Sequence, residues 1–357
     1  MKRVIGATIA LFVGGFLAVV AAPQQSPQAP PSEAPAEPRF AGEANEVILP
    51  VTVTDDRGRY VSNLVKDDFR VLDEGRPQRL EFFSHAEKQP IVVGFLVDLS
   101  SASRNHWDKY REAIKELIWG LLPGDKRYAG YLISYNTQAE LLVNTTDEGD
   151  RLSERLDKVK PGGGSALYDA IYMACTRREL VKGEPFEPRR VIVIIGDGHD
   201  NASHHSLEEV LELSKRELVT IYGMSTVAFG FNSESEDKLE RFANETGGRV
   251  EYPLNTLYKD VSGFISTPRD AGNYVYDPGT GGYAAEIAKG IISAVGSIKG
   301  EVTTQYVLRY VPDIDPTTAD KVFRRVKVEI PSLPNVRIRT KDGYYPRPAS
   351  ATPPQGQ

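Results

Sequence analysis

Three short stretches, far apart along the chain, carry the residue types that hold hard cations: "DLSSAS" at 98–103, "PGGGSALYDA" at 161–170 and "GDGHDN" at 196–201. The first leaves the apolar run "IVVGFLV" through a carboxylate and a cluster of hydroxyls. Asp98 and Ser100 come from it, Ser165 from the second stretch and Asp197 from the third, with Ser101 and Ser103 as neighbouring hydroxyls. Two carboxylates delivered to one place repel each other unless a cation lies between them. An all-oxygen set, with no cysteine and no positioned histidine, suits Mg²⁺ first and Mn²⁺ or Ca²⁺ next. Hydroxyl ligands add no charge, so the ion keeps an affinity for one more anionic oxygen, such as an Asp or Glu of a protein partner.

Each stretch also has a plainer reading. Asp98, Ser100 and Ser103 are residue types that cap a following helix. Gly162, Gly163 and Gly164 read alternatively as a flexible turn, and the stretch lacks the Gly-Lys-Ser/Thr ending of a phosphate loop. Asp197-Gly198 is a common turn dipeptide. His199, His204 and His205 read either as a second, transition-metal cluster or as solvated side chains of a polar loop. No Gly-x-Ser-x-Gly elbow occurs and no histidine has a clear base role, which argues against a serine hydrolase.

The elements that must position these residues show in the hydrophobic period. From 91 to about 300, uniformly apolar runs such as "IVVGFLVD", "YAGYLISY" and "RVIVIIGD" alternate with helical patterns such as "HWDKYREAIKELIWGLL" and "SLEEVLELSKRELV". Strands apolar on both faces and joined by helices predict an α/β fold, a doubly wound, mainly parallel sheet covered on both sides. Ligands of such sheets bind outside the carboxyl ends of the strands, where Asp98 and Asp197 fall. Residues 46–84 instead alternate apolar and polar, with turns at Asp56-Arg57-Gly58 and Asp73-Glu74-Gly75, and alternation returns at 304–345. Four strands before and three after are each small for an independent core, so both sets are expected to pair into one β-sandwich into which the α/β domain is inserted. The expected boundaries are 45–85, 90–300 and 301–346. A polar stretch at 256–280, "TLYKDVSGFISTPRDAGNYVYDPGT", interrupts the α/β zone before its last helix. Specificity loop and tolerated insertion are equally open readings.

The residues resemble a family at this point. "FLVDLSSAS", "GGGSALYDAI" and "IVIIGDGHDN" are similar to the three metal-site segments of von Willebrand factor type A domains, whose metal-ion-dependent adhesion site combines an Asp-x-Ser-x-Ser loop, a Thr loop and an Asp loop. The flanks, "VTVTDDRGRYVSNLVKDDFRVLDEGRPQRLEFF", "TTQYVLRYV" and "VRIRTKDGYYP", resemble exported bacterial proteins of the acidobacterial type A-related group, and the likeness covers roughly 46–346. It implies that Asp98, Ser100, Ser165 and Asp197 hold a divalent metal. Two departures weaken that site: the last Ser of the first loop falls on Ala102, with Ser101 or Ser103 as substitutes of different spacing, and Ser165 stands where the family has Thr.

The bulk numbers agree with an ordinary globular protein of about two domains: 357 residues, 40% hydrophobic, 26% charged and a net charge of -6. Acids and bases are interspersed, leaving no basic stripe for nucleic acid. Lys2 and Arg3, an apolar stretch from Val4 to Val20 and the small pair Val20 and Ala22 read as a secretory signal peptide over 1–22, with an uncleaved membrane anchor as the alternative. A Pro/Ala-rich linker (23–44) and a tail (347–357) are expected to be disordered. The lone Cys175 sits among apolar residues at helical spacing and reads as a buried thiol. The expectation is a non-enzymatic, adhesion-type protein-binding module, periplasmic, envelope-bound or secreted. The alternatives are a metal-independent envelope scaffold with a decayed site and a metal-dependent hydrolase.

Overall fold

The computed structural model describes residues 46–85, 89–177, 180, 188–226, 234–253, 282–312 and 322–346. The expected signal peptide, linker, 256–280 insertion and tail lie outside the described residues. Four strands open the described chain: β1 (Val47–Thr54), β2 (Arg70–Asp73), β3 (Arg76–Gln78) and β4 (Phe82–His85). The β2–β3 hairpin turns at Glu74 and Gly75, both with positive φ, as the Asp-Glu-Gly signal predicts.

The chain then builds β5 (Ile91–Asp98), α1 (Trp107–Leu121), β6 (Tyr128–Tyr135), β7 (Ala139–Thr146), α2 (Gly149–Leu156), α3 (Leu167–Thr176), β8 (Arg189–Gly196), α4 (Leu207–Arg216), β9 (Thr220–Ser225), α5 (Glu234–Thr246), β10 (Val250–Glu251) and α6 (Gly282–Thr304). The six strands lie in the order β10-β9-β8-β5-β6-β7, parallel except where β7 pairs antiparallel with β6. Every residue of β5 and β9 is buried, because α1, α2 and α6 cover one face and α3, α4 and α5 the other. Each fully buried Leu, Ile or Val side chain there contributes about 1.5–3 kcal/mol. Strand β7 is not expected from the sequence: as an edge strand it buries neither face fully, so "AELLVNTT" shows no clean period.

The last strands are β11 (Tyr306–Tyr310), β12 (Arg324–Glu329), β13 (Arg337–Arg339) and β14 (Gly343–Tyr344). They interleave with the first four into two antiparallel sheets, β13-β1-β11-β4 and β14-β12-β2-β3. One core, including Leu49, Val51, Val71, Tyr306, Leu308 and Val328, joins them, so the flanking segments form the expected sandwich. Its second half has four strands rather than three, since β14 is two residues long and too short to alternate. The expected boundary at 300 falls inside α6, which runs on to Thr304; Arg189 reaches from the start of β8 to cap it, donating to the Val302 carbonyl at 2.6 Å. Arg190 beside it donates to the Ala174 and Cys175 carbonyls at the end of α3. Cys175 is buried, and burial pushes its thiol up to about 11.

Candidate metal centre

The strand order places a topological switch between β5 and β8. From β5 the chain passes through α1 to β6 on one side, then returns with β8 on the other. The connections diverge at the carboxyl ends of these two strands, which opens a crevice there. Asp98 is the last residue of β5, and Gly196 ends β8 immediately before Asp197. The two carboxylates therefore reach one edge from adjacent strands.

In the first loop, Oδ1 of Asp98 accepts the Ser100 N–H at 2.6 Å, while Oδ2 of Asp98 and Oγ of Ser103 are buried with no hydrogen-bond partner. The capping reading fails here. Ser100 precedes a 3-10 turn at Ser101–His106 without any side-chain cap bond, and the Ser103 hydroxyl caps nothing. The reason is that the carboxylate folds back onto its own loop instead of forward onto the helix. The two candidate substitutes for the missing hydroxyl separate clearly. Ser101 is exposed and its Oγ accepts the Gly163 N–H at 3.1 Å, whereas Ser103 is buried beside Asp98. Ala102 itself faces solvent.

The three glycines form a pinned strap rather than a free turn. Gly162 N–H donates to the Leu99 carbonyl at 2.7 Å, Gly163 is bonded to Ser101 through both its N–H and its carbonyl, and Gly164 N–H donates to Thr137 Oγ1 at 3.1 Å. At Gly163 φ is +95° and a Cβ would lie 2.6 Å from Thr137 Oγ1, so only glycine fits. The strap delivers Ser165, which is 1% exposed. Its N–H donates to Asn201 Oδ1 at 2.8 Å and its hydroxyl donates to the His199 carbonyl at 2.6 Å, which leaves the oxygen lone pairs available.

Asp197 is half-buried, and its Oδ1 accepts the His199 N–H at 2.9 Å. The loop that follows holds the start of α3: Asp200 Oδ2 accepts the Tyr168 N–H at 2.9 Å and Ser203 Oγ accepts the Asp169 N–H at 3.0 Å. The three histidines do not meet at one point. The His199 ring faces Ser235 at 3.4 Å, while His204 and His205 both set Nδ1 against the Asp169 carboxylate, at 3.0 and 2.7 Å. Among the described residues no group of three or more His, Cys, Asp and Glu is placed to hold a metal, so the transition-metal cluster is not formed there. Thr137, Asp200, Asn201 and Ser203 are supporting residues that the sequence reading does not single out. Each uses an ordinary turn-type side chain, and only the meeting of distant loops reveals its task.

The electrostatics of this edge favour a cation. Burial, the dominant cause, pushes the Asp98 carboxyl up to about 6, and the charge of Asp197 pushes the same way; the Ser100 N–H and the Ser100 and Ser103 hydroxyls lower it. A buried carboxylate oxygen with no donor within hydrogen-bond distance, a second carboxylate on the next strand and the nearby Ser103 hydroxyl form an oxygen-rich set that a hard divalent ion satisfies. The residues present therefore fit such an ion, with Asp98, Ser100, Ser165, Asp197 and Ser103 as the residues that would hold it.

Residues 93–259, a little under half of the chain, match the family model described as von Willebrand factor type A domain. That segment is thus of the von Willebrand factor type A kind, a type of protein-interaction module, and it lies between the two chain segments that form the β-sandwich. Among solved structures it is similar to a von Willebrand factor type A protein from Catenulispora acidiphila, with 13% identity, 73% of this chain and 51% of that one covered, and a TM-score of 0.40. Another is the conserved hypothetical protein BatB from Bacteroides thetaiotaomicron, at 15% identity, 48% and 96% coverage and a TM-score of 0.37. A third is proximal thread matrix protein 1 from the mussel byssus with a zinc-occupied metal-ion-dependent adhesion motif, at 18% identity, 47% and 42% coverage and a TM-score of 0.37.

Proposed function

We propose that the chain is an exported, non-enzymatic binding protein whose site at the β5/β8 edge takes up Mg²⁺, or Mn²⁺ or Ca²⁺ in its place, and through it the Asp or Glu carboxylate of a protein partner. The observation that carries this reading is the buried, donor-less Oδ2 of Asp98 beside Asp197 and the Ser103 hydroxyl. A bound divalent ion supplies charge neutralisation and an open position for one anionic oxygen. The residues of the chain supply the rest: Asp98 and Asp197 the counter-charge, Ser100, Ser103 and Ser165 neutral oxygens, and the pinned glycine strap a fixed separation between loops. Ser103 makes good the hydroxyl that Ala102 lacks.

Binding is favoured over hydrolysis because the imidazoles of this face turn to the Ser235 hydroxyl and to Asp169, not to the Ser100, Ser103 or Ser165 hydroxyls of the strand-end site. The basic, apolar and small-residue order at 2–22 supports export, with the membrane reached only through an uncleaved anchor. The flanking sandwich fits the exported bacterial group that it resembles in sequence.

The test is selection of displayed peptides on the protein in Mg²⁺ and in EDTA, with the Asp98→Ala variant alongside. Enrichment of Asp- or Glu-bearing peptides in Mg²⁺ alone, lost in the variant, supports the reading. Equal retention in EDTA shifts the function to a metal-independent scaffold.

A further inference from the structure

The structure describes four large tyrosines with fully buried side chains, Tyr135, Tyr222, Tyr306 and Tyr310. Three have evident reasons for their hydroxyls. Tyr222 accepts from Gln305 Nε2 at 2.8 Å, Tyr306 donates to the Val61 carbonyl at 2.7 Å, and Tyr310 donates to Asp73 Oδ2 at 2.9 Å. The Tyr135 hydroxyl has no hydrogen-bond partner. Phenylalanine would fill the same apolar space, among Leu96, Ile133, Leu167 and Ile194, without burying an unsatisfied donor, which costs about 1–3 kcal/mol.

The position of that hydroxyl is specific. Tyr135 ends β6 in register with Asp98 at the end of β5, so both side chains leave the same face of the sheet. A Cβ built on Gly196, across β5 on the next strand, would collide with the Tyr135 hydroxyl oxygen and lie 2.9 Å from Asp98 Cβ and 3.4 Å from Asp98 Oδ2. The phenol thus reaches under the Asp98 carboxylate as far as β8. Two buried atoms that lack partners, Tyr135 Oη and Asp98 Oδ2, border one point. Burial and the negative charges of Asp98, Asp197 and Asp200 push the phenol well above its ordinary value, so it stays a neutral donor and is not a phenolate ligand.

We infer that Tyr135 is a positioning residue of the metal site: its hydroxyl donates to Oδ2 of Asp98, directly or through one water, and fixes that carboxylate for the ion. The inference rests on the metal-site reading above. Outer partners of ligating carboxylates usually contribute about 10–100-fold in metal affinity.

The experiment is calorimetric titration of Mg²⁺ and Mn²⁺ into the metal-stripped protein, its Tyr135→Phe variant and its Asp98→Ala variant, with thermal midpoints of the metal-free forms. The expected result is affinity about 10–100-fold weaker in Tyr135→Phe, with a metal-free midpoint equal to or above the parent's. A purely structural hydroxyl would instead lower the metal-free midpoint. Unchanged affinity in Tyr135→Phe, while the parent binds and Asp98→Ala does not, overturns this inference alone. A parent that binds neither ion overturns it together with the metal-site reading.

Discussion

Asp98 and Gly196 stand side by side on adjacent parallel strands, so close that a Cβ at 196 would lie 2.9 Å from Cβ of Asp98. The missing side chain of one residue is the space occupied by the other and by the ring of Tyr135. This contact sets where the first carboxylate of the site can point. Gly196→Ala therefore has two expected effects: overpacking that costs about 1–3 kcal/mol, and loss of divalent-ion binding because the Asp98 carboxylate is displaced. Urea denaturation and calorimetric titration of the same variant check both.

The protonation of Asp98 gives the metal-free protein an unusual pH response. Its folded-state carboxyl is raised to about 6 from 3.8, so the folded state binds the proton more tightly than the unfolded state does. The Asp98 contribution to the stability of the metal-free form should rise as pH falls from about 6 towards 4, by on the order of 3 kcal/mol, so the parent should gain on Asp98→Asn over that range and the variant should be the more stable at neutral pH. With Mg²⁺ bound the dependence on Asp98 should reverse, since protons then compete with the ion. Denaturant midpoints across pH, with and without Mg²⁺, measure these signs.

The two hydroxyls near Ala102 should behave differently. Ser103→Ala removes the buried oxygen beside Asp98 and should weaken Mg²⁺ binding, whereas Ser101→Ala loosens a bond to Gly163 and should act less on affinity. Ala102→Ser restores the adhesion-site spacing and should tighten binding. Calorimetric affinities for the three variants rank them.

Another expected effect lies away from the site. Glu301 of α6 is fully buried, accepts both oxygens' worth of bonds from Arg339 of β13 at 2.6 and 2.7 Å, and accepts from Thr52 of β1 at 3.1 Å. Glu301→Ala leaves the Arg339 guanidinium without its carboxylate at the junction of α6 and the sandwich, while Thr52 keeps its bond from Gln305, and should cost about 1–3 kcal/mol in chemical denaturation. Metal affinity should stay near the parent's, because Glu301 lies at the amino ends of the strands, beside Arg249 before β10 and next to Val302, which Arg189 at the start of β8 caps, whereas Asp98 and Asp197 are at the carboxyl ends.

Much of the fold was legible because burial on both faces leaves a plain mark: β5 and β8 are apolar runs closed by Asp98 and by Gly196-Asp197. What escaped were elements with weak periods, the half-exposed β7 and the two-residue β14. The ligand types could be read from oxygen chemistry and spacing. Their support could not, because Thr137, Asn201 and Tyr135 act through loops and strands remote in sequence. Nor could sequence alone rank Ser101 against Ser103; the direction of one turn decides that the first bonds the glycine strap while the second faces Asp98.

Whether the β5/β8 edge holds a divalent cation is decided by isothermal titration of Mg²⁺ into the metal-stripped protein, beside Asp98→Ala. Saturable binding at one site, abolished in the variant, is the expected result. Absence of binding in the parent, or equal binding in the variant, would contradict it and leave the domain as a scaffold acting through its surface alone.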